Sequence, residues 1–257
     1  MFLTTQPVWL SSILIVGLTT LIAMLGPVLV RRHVGLHRLS TNNEVAGFKF
    51  ATVGVLYAVL LAFAIIVVWE KFSDAEANVA REAGAAAGIY RLANGIGGEP
   101  GAALDRSVTA YLNAAIAHDW PAMERGKASP TVTHALNDLY AGLLSYNPPD
   151  SRGVAILSEI LHQLDTMTEA RRSRLVAAAG SVPGIVWLVL FGGAIVTIGF
   201  TFFFGTANLR AQCLMTGALS LLIFSGLFII IIVDRPFTGT VKVTPEALSA
   251  VVEDFAR

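Results

Sequence analysis

The sequence predicts an all-α integral membrane protein with four transmembrane helices and a helical extramembrane bundle inserted between the second and third. Three observations predict it. Four apolar stretches each approach or exceed the roughly 20 residues a helix needs to cross hydrocarbon. Only 14% of the residues are charged while 54% are hydrophobic, against about 25% charged in soluble domains. Between the second and third apolar stretches, segments with helical spacing alternate with turn residues, and none reads as an alternating strand.

The first apolar segment runs from Val8 to Val30 and ends at Arg31-Arg32. It lacks a basic leading region and a small-residue cleavage site, and it exceeds the ~7–15 apolar residues of a signal peptide. It is therefore expected to be a retained span, with Pro27 tolerated near its end. A basic connector, Arg31 to Glu44, leads to the second span, which is uncharged from Phe50 to Trp69. No proline lies between Pro27 and Pro100, and the residues after Trp69 are alanine-rich, the composition that favours helix most. One helix of roughly 45 residues, about 65 Å long, is expected to run from the second span into the soluble region.

Turn chemistry then falls at Gly97–Gly101, at Pro121–Pro130 and at Tyr146–Gly153. It divides the insert into helical pieces near 70–95, 102–119, 131–145 and 152–181. Leu104, Val108, Tyr111, Leu112 and Ala115 form one amphipathic stripe, and Ile156, Ile160, Leu164, Met167 and Leu175 another. Four such helices make a small bundle. Gly184–Phe204 and Ala211–Val233 are uncharged and joined by a short loop, so they form an antiparallel membrane hairpin. The expected organisation is residues 1–69 for spans one and two, 70–182 for the bundle, 183–233 for spans three and four, and 234–257 for the tail.

The chemistry classes are mostly negative. Zero formal net charge offers no surface for nucleic acid. The single cysteine, Cys213, reads as a small buried hydrophobe. No phosphate loop, His-Glu-x-x-His or Gly-x-Ser-x-Gly motif is present. Glu159, His162, Asp165 and Glu169 share a helix face but read as a solvated surface, and His33 and His37 as interfacial residues. Neither an enzyme nor a cofactor or metal site is expected. The span interiors carry hydroxyls and an amide (Thr52, Tyr57, Thr197, Thr201, Gln212, Thr216, Ser220) but no ionisable acid, base or histidine, which counts against an ion-coupled transporter. A passive pore with an apolar constriction needs no such residue.

The second span carries a small-residue stripe, Gly47, Ala51, Gly54, Ala58 and Ala62, suited to close helix packing. If it packs subunits together, a neighbouring face can line a pore, and Phe63, Ile66 and Val67 are then the constriction candidates. Gly84-Ala-Ala-Ala-Gly88 repeats the theme beyond the membrane. Trp69-Glu70 and Asp234-Arg235-Pro236-Phe237-Thr-Gly239 mark where spans two and four leave lipid on the same side. There Pro236 stops the helix, Phe237 anchors at the interface or in a groove, and Gly239 allows a tight turn.

The run Tyr57–Phe63, the Val67-Val-Trp-Glu70 corner, the acids and alanines through Arg81-Glu-Ala83 and the tail signature together resemble the bestrophin-like membrane proteins of bacteria. The resemblance covers nearly the whole chain. It implies a distant relation to bestrophins, pentameric anion channels with a long pore along the second membrane helix. It also implies a cytosolic helical region and cytosolic termini. The triple-aromatic neck and acidic calcium clasp of bestrophins have no match here, so neither calcium gating nor their pore residues carry over.

The charges pull the other way on sidedness. Arg31, Arg32, Arg38, Lys49 and Arg210 flank one face. Lys71, Arg81, Arg171, Arg172, Arg174, Arg235 and Lys242 flank the other, but the first five of these belong to a loop of about 110 residues, where the rule weakens. Arg31-Arg32 directly abut the first span, which favours a cytoplasmic 31–45 loop. Both termini and the bundle share one side, and which side stays open at this stage. The expectation is a homo-oligomeric, multi-pass inner-membrane protein whose partners are the lipid bilayer, further copies of itself and small ions. Its expected function is passive ion conduction, for anions by the resemblance. The alternative is a membrane-anchored interaction, sensory or accessory protein acting through its bundle.

Overall fold

The computed structural model describes residues 8–41, 43–180 and 182–257. Residues 1–7 of the first expected domain, residue 42 of the connector and residue 181 at the end of the bundle lie outside them. Among the described residues every regular element is helical: α1 (Val8–His33), α2 (Leu36–Ser40), α3 (Asn43–Ile96), α4 (Gly98–Ala114), a π-helical turn (Ala115–Asp119), α5 (Trp120–Met123), α6 (Pro130–Ser145), α7 (Ser151–Ala177), α8 (Gly184–Thr201), α9 (Leu209–Val233) and α10 (Glu246–Phe255). Four of these, α1, α3, α8 and α9, are long and apolar enough to cross a membrane. The chain is an all-α membrane protein.

It divides into two compact units. The first comprises Met1–Glu70, Ser181–Asp234 and Gly239–Val241; the second comprises Lys71–Gly180, Arg235–Thr238 and Lys242–Arg257. Helix α3 contributes residues to both, and its 54 residues exceed the length expected from the sequence.

In the first unit α1 packs along α9, and α8 on α9. Close approach is set by small residues. A Cβ at Gly217 would stand 2.9 Å from the Met24 sulfur, and one at Gly226 2.8 Å from Leu61. Tyr57 of α3 lies across Gly193 of α8 and donates its hydroxyl to the Leu190 carbonyl at 3.0 Å, which satisfies a buried phenol inside the membrane region. Phe50 meets Phe200 and Phe204. The α8–α9 loop is pinned by two side chains that the sequence presented only as connector residues. Arg31 donates to the carbonyls of Thr206 and Ala207 at 3.0 and 3.3 Å. Asn43 exchanges a pair of hydrogen bonds with the Gly205 backbone at 2.8 and 2.9 Å.

In the second unit the soluble part of α3 is the central element. Ala75, Val79, Glu82, Ala86, Ile89 and Ala93 repeat at four-three spacing and are all essentially inaccessible. The alanines make that face narrow enough for neighbours to approach. Gly97 (φ 71°) and Gly98 (φ 59°) turn the chain from α3 into α4 in the left-handed region that favours glycine. The stripe Leu104–Ala115, on α4 and the first residue of the π-helical turn, is buried as its spacing predicts, and so are Ile160, Leu164 and Met167 of α7. Asp150 caps α7 by accepting the Gly153 N–H at 2.7 Å. Helix α10 returns to this unit through buried Leu248 and the ring of Phe255, stacked 3.7 Å from that of Tyr90.

Candidate functional site

The membrane stretch of α3 has two faces. Phe50, Tyr57 and Leu61 point to the chain's own helices. At about 100° per residue, Phe48, Val55, Val59 and Ile66 fall on the opposite face, and all four are exposed, Phe48 at 79%. Of the most apolar 18-residue stretch of α3 only 11% is buried, against 50% for α9. This open face carries no ionisable group.

The small-residue stripe lies to one side of it. Ala51, Ala58 and Ala62 are exposed, and a Cβ at Gly47 or Gly54 would touch nothing within 4 Å. The stripe therefore has no partner among the described residues of this chain. The constriction candidates Phe63, Ile66 and Val67 are exposed at 63, 51 and 48%. They do not share one surface. Phe63 and Val67 line an apolar groove of about 260 Å³ with Leu60, Val182, Pro183 and Val186, whereas Ile66 stands on the open face, at its Trp69 end. Beyond the membrane, Ala85, Ala86 and Ala87 are buried inside the second unit and Gly88 packs on Gln163, while Gly84 is exposed.

The residues of the two signature stretches serve separate local roles. Trp69 is 62% exposed and Glu70 is exposed. Asp234, just past α9, accepts the Val182 N–H at 2.9 Å and so ties the approach to α8 to the end of α9 within the first unit. Arg235 accepts the Thr238 N–H at its carbonyl (3.1 Å) and Pro236 accepts the Val243 N–H (2.7 Å), forming a compact turn. Phe237 is fully buried, edge-on to Trp120, whose indole N–H in turn donates to the Val243 carbonyl at 3.1 Å. Gly239 sits at φ 81°.

The second unit holds a cluster that sequence reasoning passed over. Arg174 donates to both Glu82 oxygens at 2.7 and 2.9 Å and to Asp119 at 3.2 Å. Arg171 donates to Asp119 at 2.9 and 3.3 Å, and the Ser129 N–H to the same carboxylate at 3.0 Å. Tyr111 donates its hydroxyl to Glu82 at 2.6 Å, and the Arg174 guanidinium lies 4.5 Å from the Trp120 ring centre. Two cations face two anions, and Glu82, Asp119 and Arg174 have no exposed surface.

Burial, and then the Glu82 carboxylate, push the Tyr111 hydroxyl well above the usual tyrosine range. Burial opposes the charge of Arg174, but Glu82, Tyr111 and Asp119 together outweigh it and its pKa is raised. The π-helical turn at Ala115–Asp119 brings Asp119 to the cluster. The signal was in the spacing. Glu82 occupies a core position of the Ala75–Ala93 repeat, and Arg171 and Arg174 continue the Ile160–Leu164–Met167 stripe at four and three residues. By contrast Glu159, His162, Asp165 and Glu169 are all exposed on the other face of α7.

Fold and composition define a four-span membrane protein with a helical insert. The bestrophin-like domain family matches residues 17–248, and the chain belongs to that family. A structure of a bacterial bestrophin homologue from Klebsiella pneumoniae, carrying an isoleucine-to-threonine substitution, superposes with a TM-score of 0.73 at 13% identity, over 96% of this chain and 99% of that one. A leucine-to-threonine variant gives 0.73 at 14% identity, over 93% and 97%. A membrane protein with a proline-to-alanine substitution gives 0.71 at 13% identity, over 95% and 96%. Likeness at these identities establishes the fold. No curated protein sequence matches the chain.

Proposed function

We propose that this chain is one subunit of an oligomeric ion channel in the plasma membrane, selective for anions by its family relation to bestrophins, with the open face of α3 lining the pore. The observation that carries the proposal is that face. It is long, uncharged and unused by the chain's own helices, and it lies on the second membrane helix of a bestrophin-like chain. A single helix cannot enclose a pathway, so the reading requires several copies around an axis. The small-residue stripe, flanking the open face and unpartnered within the subunit, suits the contact with a neighbouring copy.

Ile66, on the face at its Trp69 end, is the first constriction residue, with Phe63 and Val67 at its flank. An apolar ring of this kind gates by excluding water rather than by binding the ion. Glu70, Asp234 and the turn through Gly239 act as structural pins at the membrane boundary and not as ligands of the ion.

Purified protein in liposomes tests the proposal. Chloride flux is expected, and Ile66→Thr increases it. Folded, oligomeric protein that passes neither chloride nor cations across varied voltage, pH and calcium contradicts the channel and favours an accessory protein acting through the helical insert. Cysteine labelling of His33→Cys and Asn147→Cys in a Cys213→Ser background assigns the two sides. The family relation leads us to expect Asn147→Cys to react from the cytosol, and reaction from outside reverses that assignment.

A further inference from the structure

Three hydroxyls within the membrane unit have no hydrogen-bond partner among the described residues: Thr20 on α1, Thr197 on α8 and Ser220 on α9. Thr197 and Ser220 are 2% and 0% exposed. Other hydroxyls in the same helices solve the problem locally. Thr19 donates back to Ile15 at 2.7 Å and Thr201 to Ile198 at 2.6 Å, the usual resort of hydroxyls in spans. The three exceptions forgo it, and a buried hydroxyl left unpaired is costly.

Their register brings them to one level. Thr201 and Thr216 meet across the antiparallel α8–α9 pair, hydroxyl to hydroxyl, at 3.1 Å. One helical turn further into the unit along each helix lie Thr197 and Ser220. Helix α1 runs antiparallel to α9 with Met24 against Gly217. One turn along from that contact, the same antiparallel register sets Thr20 level with Leu221, the chain neighbour of Ser220. The hydroxyls also end a polar seam. At its outer end Gln212 donates to the Phe204 carbonyl at 2.6 Å, and Thr201–Thr216 is the next step inward.

The geometry points to a bound water molecule held by Thr197, Ser220 and Thr20 at the meeting of α1, α8 and α9. The chemistry selects water over an ion. The span interiors contain no acid, base or histidine to offset a charge, and desolvating an ion beside neutral hydroxyls alone is prohibitive. A buried water typically makes about three hydrogen bonds to groups that are otherwise unsatisfied, which is what three hydroxyls provide. The site is independent of the channel proposal, because its residues belong to the α1–α8–α9 packing and not to the open face of α3.

A double-mutant cycle on the full chain in detergent, read as the melting temperature, tests it. Thr197→Val and Ser220→Ala each strand the water's remaining partners, so each is expected to lower Tm by roughly 3–8 °C. The double variant releases the water and falls by clearly less than the sum. Thr197→Ser keeps the hydroxyl and stays nearer the parent than Thr197→Val. Single variants with unchanged or raised Tm, or strictly additive losses, overturn the proposal. Where a variant does not fold, a water-resolving cryo-microscopy map of the parent decides. Density bonded to Thr197 Oγ1 and Ser220 Oγ supports the site, and a dry contact overturns it.

Discussion

Replacing Arg174 with Met probes the buried charge cluster most sharply. In the native chain Arg174 satisfies both oxygens of Glu82 and one of Asp119 with no exposed surface. Methionine fills much of the same volume but leaves Glu82 with only the Tyr111 hydroxyl, and leaves two carboxylates facing one guanidinium. Removing one partner of a buried ion pair costs about 3–5 kcal/mol. For a helical unit of this size each kcal/mol moves Tm by roughly 3–5 °C, so a fall of roughly 9–25 °C is expected. Trp120 belongs to the second unit and lies against the cluster. With Trp9, Trp69 and Trp187 changed to Phe, its fluorescence reports unfolding of that unit alone. Removing both charges together, Glu82→Met with Arg174→Met, is expected to recover most of the loss, because an apolar replacement of a whole buried pair is often neutral. The exposed neighbour variant Arg172→Met is the control and stays within about 0.5 kcal/mol of the parent. A Tm change below 3 °C for Arg174→Met, or a double variant no better than the single, refutes the reasoning.

Four further outcomes follow from the same geometry. The raised Tyr111 pKa means that its contribution to stability is complete below the unfolded tyrosine value of about 10 and is lost as pH rises beyond it; Tyr111→Phe is expected to lower Tm at neutral pH and to flatten the alkaline loss, and an unchanged alkaline profile counts against the assignment. Burial raises the Asp105 carboxyl, whose Oδ1 has no partner among the described residues. Its contribution is thus complete in acid and lost as pH rises, so Asp105→Asn is expected to raise Tm slightly at pH 7 and not near pH 3, and an equal effect at both contradicts the cause. Gly193→Val drives a side chain into the Tyr57 ring and removes the bond to Leu190, costing about 2–4 kcal/mol in the first unit, and normal thermal stability of that unit excludes it. Ile66→Thr places a hydroxyl at the proposed constriction and is expected to raise liposome chloride flux roughly tenfold, the effect of lowering the barrier by about 1.4 kcal/mol; an unchanged rate removes Ile66 from the constriction.

Much of the architecture was legible because lipid imposes a simple rule on apolar length. The four spans, the continuity of α3 past Trp69 and the stripe Leu104–Ala115 could all be read from spacing and the absence of proline. The π-helical turn at Ala115–Asp119 could not, since nothing in Ala-Ile-Ala-His-Asp distinguishes it from ordinary helix; it follows from tertiary demands on Asp119. The buried cluster was half legible. Arg171 and Arg174 have the spacing of the core face of α7 and are buried there, but their charge masks that periodicity. Arg31 raises the same point, because a residue read as a topological signal also holds the α8–α9 loop through two carbonyls. Phe63, Ile66 and Val67 are neighbours in the sequence, but helical rotation sets Ile66 apart from the other two, which share a groove with Val182, Pro183 and Val186.

Whether the open face of α3 lines a pore is decided by a cryo-microscopy structure of the full chain in lipid nanodiscs. Several copies are expected around an axis, with Phe48, Val55, Val59 and Ile66 directed at a central pathway and the Gly47–Ala62 stripe against a neighbouring copy. A monomer, or an assembly whose α3 faces turn outward to lipid, contradicts the pore.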